Sequence, residues 1–257
     1  MKFYQFLKTL MSTDRRDILH RIAGKLTMKE ILEELNIDNY IQVELISNTP
    51  IDLDKIKINR PFVIKATHGC GWNIFVSETN IKMLKISDFD EPRSTPTGVY
   101  KELNREDVKR ITADWLTRTY STSEWQYIKI PKQIIIEPFV QFDFEIFCYC
   151  IHGKIRLFRT INNEHSVKRT SHYYNSEWES LHNEIQVREN IHPPKDKPPY
   201  INTLHEACMK IYNSHKIHFM RIDLFSNKNN YYISEITLTP QGGWRNPTFD
   251  DYLTQFV

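Results

Sequence analysis

The sequence predicts an α+β fold, an antiparallel-sheet body carrying a smaller flap-like α+β subdomain. Three observations lead there. Short runs of β-branched and aromatic residues bounded by turn residues fill the second half of the 257-residue chain. Apolar residues at helical spacing are confined to a few segments between such runs. The order strands, helix, strands, helix, strands lacks the strict strand–helix alternation of a parallel sheet. A hydrophobic content of 40%, with 12% aromatic residues, is enough for a sizeable core.

The chain starts "MKFYQFLKTLMSTDRRD", an apolar patch broken by Lys2 and Lys8 without a small-residue cleavage site, so it does not read as an export signal. Residues 14–37 place charged and apolar residues at helical spacing, with Thr27 as N-cap and Glu30 completing a capping box. Residues 1–49 are therefore an N-terminal helical segment. Tyr40 to Ser47 and Pro61 to Val76 read as strands, the latter a pair hinged at "HGCGWN". Residues 86–104, with Pro92, Pro96 and Gly98, read as an irregular surface segment. "REDVKRITADWLTRTY" then sets Val108, Ile111, Trp115 and Leu116 on one helix face, and residues 50–130 form the smaller subdomain.

Residues 131–257 form the body. "KQIIIEPFV", "FDFEIFCYCI", "KIRLFRT", "FMRIDLF" and "YYISEITL" are five strand candidates, with a hairpin turn at His152-Gly153. Residues 161–200 are polar, end in "HPPKDKPPY", and read as a linker-like loop; "YINTLHEACMKIYNSH" follows as a helix.

Charge narrows the function. A net charge of +2 from 34 basic and 32 interleaved acidic residues gives no footprint for nucleic acid. The most apolar stretch, Ile134 to Ile151, is interrupted by Glu137, Asp143 and Glu145, which argues against a membrane span. The four cysteines form no CxxC pair, which argues against a zinc site and agrees with reduced thiols in the cytoplasm.

In "VIKATHGCGWNIFV" an apolar run ends in Lys65 and is followed by Gly69 and Gly71. An ammonium beside backbone without side chains suits an anionic ligand, and a hairpin turn beside an exposed lysine is the alternative. "RIDLF" and "YYISEITL", joined by "SNKNN", pair as a hairpin that brings Asp223 opposite Glu235 and puts Arg221 on the same face. Two carboxylates suit Mg²⁺ completed by phosphate and water, and a cross-strand salt bridge is the alternative. Gly242-Gly243 is a second turn where backbone can approach an anion. In "IIIEPFVQFDFE", Pro138 ends regular pairing or marks an edge strand. Backbone released there, with Glu137 accepting from an adenine amino group and Asp143 from ribose hydroxyls, suits a nucleotide. His68 either donates to phosphate or caps its turn. Trp72 and Trp244 either wall the site or pack. His165, Arg169 and His172 either meet an anionic acceptor or lie in a solvated loop, and Arg245 beside the second Gly turn is a further substrate-side candidate.

"VIKATHGCGWN", "IIIEPFVQFD", "MRIDLF" and "SEITLTPQGG", in that order, resemble the ATP-grasp fold and most closely its TupA-like (teichuronopeptide biosynthesis) branch, from "HRIAGKLTMKE" to the end. The resemblance implies ATP and Mg²⁺ as cofactors, with residues 50–130 as the lid and 131–257 as the large subdomain. It implies that Lys65 contacts phosphates and that Gly69, Gly71, Trp72 and Asn73 belong to a loop closing over them. Glu137 and Phe139 would form the adenine hinge, Asp143 would bind ribose, and Asp223 and Glu235 would hold Mg²⁺. Arg221 would face the reacting centre, and Lys25 would be a second nucleotide or substrate contact. Two positions depart from the pattern. Thr237 stands where many such enzymes have an asparagine, so a second Mg²⁺ would be held more weakly. Glu145 stands near an expected lysine.

The implied activity is an ADP-forming carboxylate–amine ligase working through an acyl phosphate, on a uronic acid of a surface (capsule) polysaccharide or its nucleotide sugar, beside other polysaccharide-biosynthesis enzymes. A small-molecule kinase on the same scaffold and a non-catalytic nucleotide- or sugar-binding module remain the alternatives.

Overall fold

Three helices open the chain: α1 (Phe3–Thr13), α2 (Ile18–Ala23) and α3 (Lys25–Glu34). This computed structural model describes residues 1–86, 96–120, 124–162, 170–185, 190–227 and 229–257. The expected cap at Thr27 is not formed. Extended Gly24 separates α2 from α3, α3 starts at Lys25, and the Thr27 hydroxyl donates back to the Arg21 carbonyl at 2.6 Å. A threonine in a first turn satisfies the preceding helix's open carbonyls instead of its own N–H groups.

Two six-stranded sheets follow. The smaller contains β1 (Leu45–Ser47), β2 (Phe62–Ala66), β3 (Asn73–Val76), β4 (Ile81–Ile86), β5 (Pro96–Glu102) and β6 (Ile134–Pro138), in the spatial order β1-β6-β2-β3-β4-β5. It therefore reaches beyond residues 50–130 at both ends. Helix α4 (Arg105–Thr117) covers one face, where Val108, Ile111 and Trp115 pack on Ile64, Ile74, Ile134 and Ile136. Strand alternation leaves Val63, Lys65, Asn73, Phe75, Ile135 and Glu137 on the other face. The expectation of a strand from Tyr40 holds only over Leu45–Ser47; Tyr40 itself bridges to Ile233 of the other sheet. The irregular segment expected over 86–104 is also corrected, since Pro96–Glu102 is an edge strand paired with β4. Proline is tolerated there because an edge strand's first residue needs no ladder donor.

The larger sheet contains β7 (Phe144–Ile151), β8 (Lys154–Asn162), β9 (Thr170–Tyr174), β10 (Asn190–Ile191), β11 (Phe219–Ser226) and β12 (Tyr231–Thr237), in the order β10-β9-β8-β7-β11-β12. Its central strand β7 is buried along its whole length. Ile146, Cys148 and Cys150 face α2, α3 and α5 (Ile201–His215), while Phe147, Tyr149 and Ile151 face α1 and α6 (Asp250–Leu253). The linker-like reading of 161–200 fails for its described part. It adds β9 and β10 and buries Tyr173, Tyr174, Trp178, Leu181 and Ile185, too few apolar residues to stand out in a polar stretch. His165 and Arg169 lie outside the described residues.

Candidate active site

The open face of the small sheet gathers cations around one acid. Lys25 and Lys29 are four residues apart on α3 and so project from one helix face. Lys29 Nζ lies 2.7 Å from Glu137 Oε1, and Lys65 Nζ, from β2, lies 2.6 Å from Glu137 Oε2. Lys29 also donates to the Ile41 carbonyl, and Lys25 to the carbonyl of Gly69 in the glycine loop. All four charged side chains are buried. Burial alone would push the Glu137 carboxyl up, but Lys65 and Lys29 hold it below the ordinary glutamate value. Burial pushes the Lys29 ammonium down against the pull of Glu137, with Lys65 and Lys25 adding to the decrease. Three lysines against one glutamate leave a net positive cluster, the charge a multiply charged anion needs.

The glycine loop links this patch to the other sheet. Gly71 adopts φ 71°, open to glycine at no steric cost, and a Cβ on Gly69 would meet the Trp72 ring at 2.7 Å. Cys70 of this loop is exposed, and the nearby Glu235 carboxylate is the main cause pushing its thiol up to about 12. Asn73 pairs directly with Lys65 and shares its face.

The large sheet supplies the acids. Asp223 and Glu235 sit directly opposite each other on β11 and β12. A bulge follows at once, with Ser234 as the extra residue and its hydroxyl donating to the Asp223 carbonyl at 3.0 Å. Arg221 donates to both Asp223 oxygens, each at 2.6 Å, and lies 3.4 Å from Thr237 Oγ1. Glu124, which sequence reasoning missed, accepts from the Thr239 hydroxyl at 2.8 Å. Burial, reinforced by Glu235, pushes its carboxyl up. Along β11 the next residue on this face, Phe225, stacks on Phe142 at 4.4 Å and lies 6.0 Å from Lys65 Nζ. Lys65 of the small sheet and Phe225 of the large sheet therefore bring the two charge sets near each other.

The sequence matches the family described as TupA-like ATPgrasp over residues 5–256. The chain belongs to the TupA-like ATP-grasp family. No curated protein sequence matches it. Among solved structures it is similar to a RiPP-associated ATP-grasp ligase of Chryseobacterium gregarium in complex with ADP and a leader and core peptide. That likeness has 11% identity and a TM-score of 0.50, and covers 98% of this chain and 67% of that one. It is also similar to a D-alanine–D-alanine ligase of Bacillus anthracis complexed with ATP, at 14% identity and a TM-score of 0.47, over 85% of this chain and 55% of that one. The chain spans only 53% to 64% of the length of several such ligases. At these identities the likeness is one of fold: this is an ATP-grasp fold.

Within the TupA-like ATP-grasp chain the candidate residues separate into three groups. Lys65, Asn73 and Glu137 share one face of the small sheet with Lys25 bonded to the glycine loop that carries Gly69 and Gly71, and Arg221, Asp223, Glu235 and Thr237 share one face of the large sheet. Asp143 is exposed near it, its N–H bonded to the Ser226 carbonyl. Gly242 and Gly243 have φ of 61° and 71°, and a Cβ on Gly243 would strike Met11 Sδ at 2.6 Å, so this turn is held against α1.

Other candidates are corrected. Trp72 stacks on Trp115, with centroids 6.0 Å apart, in the core under α4, because an indole beside two glycines fills the space they leave. His68 is buried there too, its Nε2 3.0 Å from the Trp115 carbonyl, which removes it from phosphate contact. The Glu137 carboxylate is engaged by two lysines instead of facing a base, and the Phe139 N–H already donates to the Pro61 carbonyl. His172 is buried between the His192 carbonyl and Ser180. Arg245 is exposed, 3.9 Å from Asp251. Lys29 was missed although its spacing from Lys25 was the available signal.

Mg²⁺ fits this donor set. The described residues contain no cluster of three or more His, Cys, Asp or Glu that could cage a metal. Two opposed carboxylates match an ion that takes one or two protein ligands and completes its shell with phosphate and water. Asp223 would share an oxygen now bonded to Arg221.

Proposed function

We propose that this protein is an ATP- and Mg²⁺-dependent carboxylate–amine ligase that forms ADP through an acyl phosphate, acting on a sugar acid such as a uronate. The observation that carries the reading is the pair of charge sets: buried Lys25, Lys29 and Lys65, two of them paired with Glu137, and Asp223, Glu235 and Arg221 together on one face of the large sheet. A nucleotide triphosphate complements the first set. Mg²⁺, when bound, would be held by Asp223 and Glu235 and would neutralise phosphate charge there.

Lys25, Lys29 and Lys65 would hold the phosphates, and the Gly69–Asn73 backbone would cover them and exclude water. A substrate carboxylate oxygen attacks the γ-phosphorus in line, the bond to the bridging oxygen breaks, and ADP leaves. The amine then attacks the acyl carbon, phosphate departs with the bonding pair, and the amine loses a proton to give the amide. Arg221 is placed to stabilise the oxyanion of that second step, a role whose loss typically costs ~2.7–4 kcal/mol of barrier. The chain performs no covalent chemistry itself; it positions reactants and neutralises charge.

The test is hydroxylamine trapping. Uronic acids, nucleotide-linked uronates and amino acids are each given with Mg-ATP, and hydroxamate is measured with ADP and phosphate. Formation of all three in step from one acid, lost in Glu235→Gln, supports the ligase. A stable phosphorylated product without hydroxamate would replace it with a kinase.

A further inference from the structure

A cavity of about 180 Å³ opens between the large sheet, α1 and the segment after the second Gly turn. It lies next to the acid pair. Arg221 lines it, and Phe147, another lining residue, is the register partner of Asp223 on β11 and of Arg159 on β8. Space of this size holds on the order of ten waters, or a ligand with about as many non-hydrogen atoms. Phe147 and Tyr149 from β7, with Trp244 and Phe249 from the C-terminal segment, give it aromatic walls. An aromatic cavity with a few fixed polar groups is the usual form of a small-molecule subsite.

Two of its polar side chains, Asp250 and Asn246, are held in place but incompletely used. Asp250, at the start of α6, is only 3% exposed. Its Oδ2 accepts the Asn246 N–H at 2.9 Å, and among the described residues its Oδ1 has no hydrogen-bond partner. Burial pushes this carboxyl up to about 6, the mark of an acid whose hydrogen bonds do not offset its desolvation. Asn246 Oδ1 accepts the Thr248 N–H at 2.9 Å, which fixes the amide, and among the described residues its Nδ2 has no partner. The cavity therefore offers one acceptor and one donor side by side.

That pair discriminates between ligand groups. A carboxylate or phosphate would meet the Asp250 carboxylate, and an ammonium, which only donates, would leave the Asn246 amide unmatched. Lys8, 4.8 Å from the Trp244 ring, and nearby Arg245 further disfavour a cation. A hydroxyl both donates and accepts. Two neighbouring hydroxyls on one ring satisfy both side chains while the ring lies against the aromatic walls.

We propose that this cavity is a polyol subsite, in which Asp250 accepts from and Asn246 donates to neighbouring hydroxyls on the ring of the acid substrate. The substrate class is thus a hydroxylated ring of monosaccharide size, as against an amino acid or a bare cyclic acid. This rests on the ligase reading above.

Calorimetric titration of the full chain, with and without Mg-ADP, compares D-glucuronate, D-galacturonate and D-mannuronate with two acids of the same ring size, cyclohexanecarboxylate and trans-4-aminocyclohexanecarboxylate. The best uronate is expected to bind about tenfold or more tightly than either, because each of those leaves a buried polar group unpaired. Asp250→Asn keeps an acceptor for the Asn246 N–H and turns the free acceptor into a second donor. It should bring the best uronate to within about twofold of cyclohexanecarboxylate. If that variant does not fold, Asn246→Asp, which keeps the Thr248 bond and removes the donor, should do the same. A uronate advantage that survives in the folded variant would overturn the proposal. Tightest binding of the amino-substituted acid would make the cavity an ammonium site and overturn it too. A parallel titration with Mg-ATP keeps the two readings apart. Failure of Mg-ATP to bind the wild type sinks the ligase reading while the probe ratio without nucleotide stays readable. Equal or absent probe binding beside intact Mg-ATP binding sinks this proposal alone.

Discussion

The two sheets come together with opposite charge problems. Beside the small sheet, buried Lys29 of α3 and Lys65 of β2 share Glu137 while Lys25 holds the glycine loop; on the large sheet, Asp223, Glu235 and nearby Glu124 surround one arginine. Each side carries an excess of one sign, positive around α3 and β2 and negative on the large sheet. The difference shows how a single cleft can suit a polyphosphate and a divalent cation at once: each ligand completes the face that the other would strain. It also separates residues that hold the protein together from residues that wait for a ligand. Glu137 belongs to the first kind and Glu235 to the second.

The comparison breaks most sharply at Glu137. Glu137→Gln removes the acid between Lys29 and Lys65, and leaving those charges buried without it is expected to cost about 3–5 kcal/mol in urea unfolding. If stability is unchanged, the lysines do not depend on Glu137. On the other face, Asp223→Asn takes the bidentate partner from Arg221 and should cost roughly 2–4 kcal/mol, whereas Glu235→Gln should stay within about 1 kcal/mol. Both should abolish ADP formation. Equal stability losses in the two would mean that Glu235 is structural.

A smaller effect lies at the cavity. Burial lifts the Asp250 carboxyl from 3.8 to about 6. Its folded-state pKa is raised, so the folded state holds the proton more tightly than the unfolded chain. Stability from this group is therefore present at low pH and is lost as pH rises from about 4 to 6. Asp250→Asn keeps an acceptor for the Asn246 N–H and should remove roughly 1–3 kcal/mol of that decline. Parallel pH–stability curves for the two proteins would contradict the assignment. The smallest change is expected from Ser234→Ala, which removes the hydroxyl bond that pins the bulge to the Asp223 carbonyl, about 1 kcal/mol by chemical denaturation. A larger loss, with lower affinity for Mg-ATP, would show that the bulge sets the carboxylate spacing.

The acid pair and the glycine loop's strand pair were legible because their contacts are local in register. Asp223 facing Glu235 follows from one short hairpin, and the glycine loop from one strand pair. Trp72 and His68 misled because the same loop that presents glycines to the cleft turns its larger side chains into the core under α4. Residues 161–200 misled because burial there depends on few side chains in a polar stretch, which carries no periodic signal.

Alternation and turn chemistry in the sequence determined the α+β class, the hairpin register, the glycine loop and the acid pair, since each rests on contacts within about a dozen residues. The tertiary structure alone decided that Glu137 bridges Lys29 and Lys65, that Lys25 holds the glycine loop, and that Arg159 falls in line with Asp223. Those pairings join α3 to β6 and β8 to β11 across long stretches of chain. Partners that far apart are set by which faces pack together, a choice made by summed burial over the whole molecule and written in no single segment.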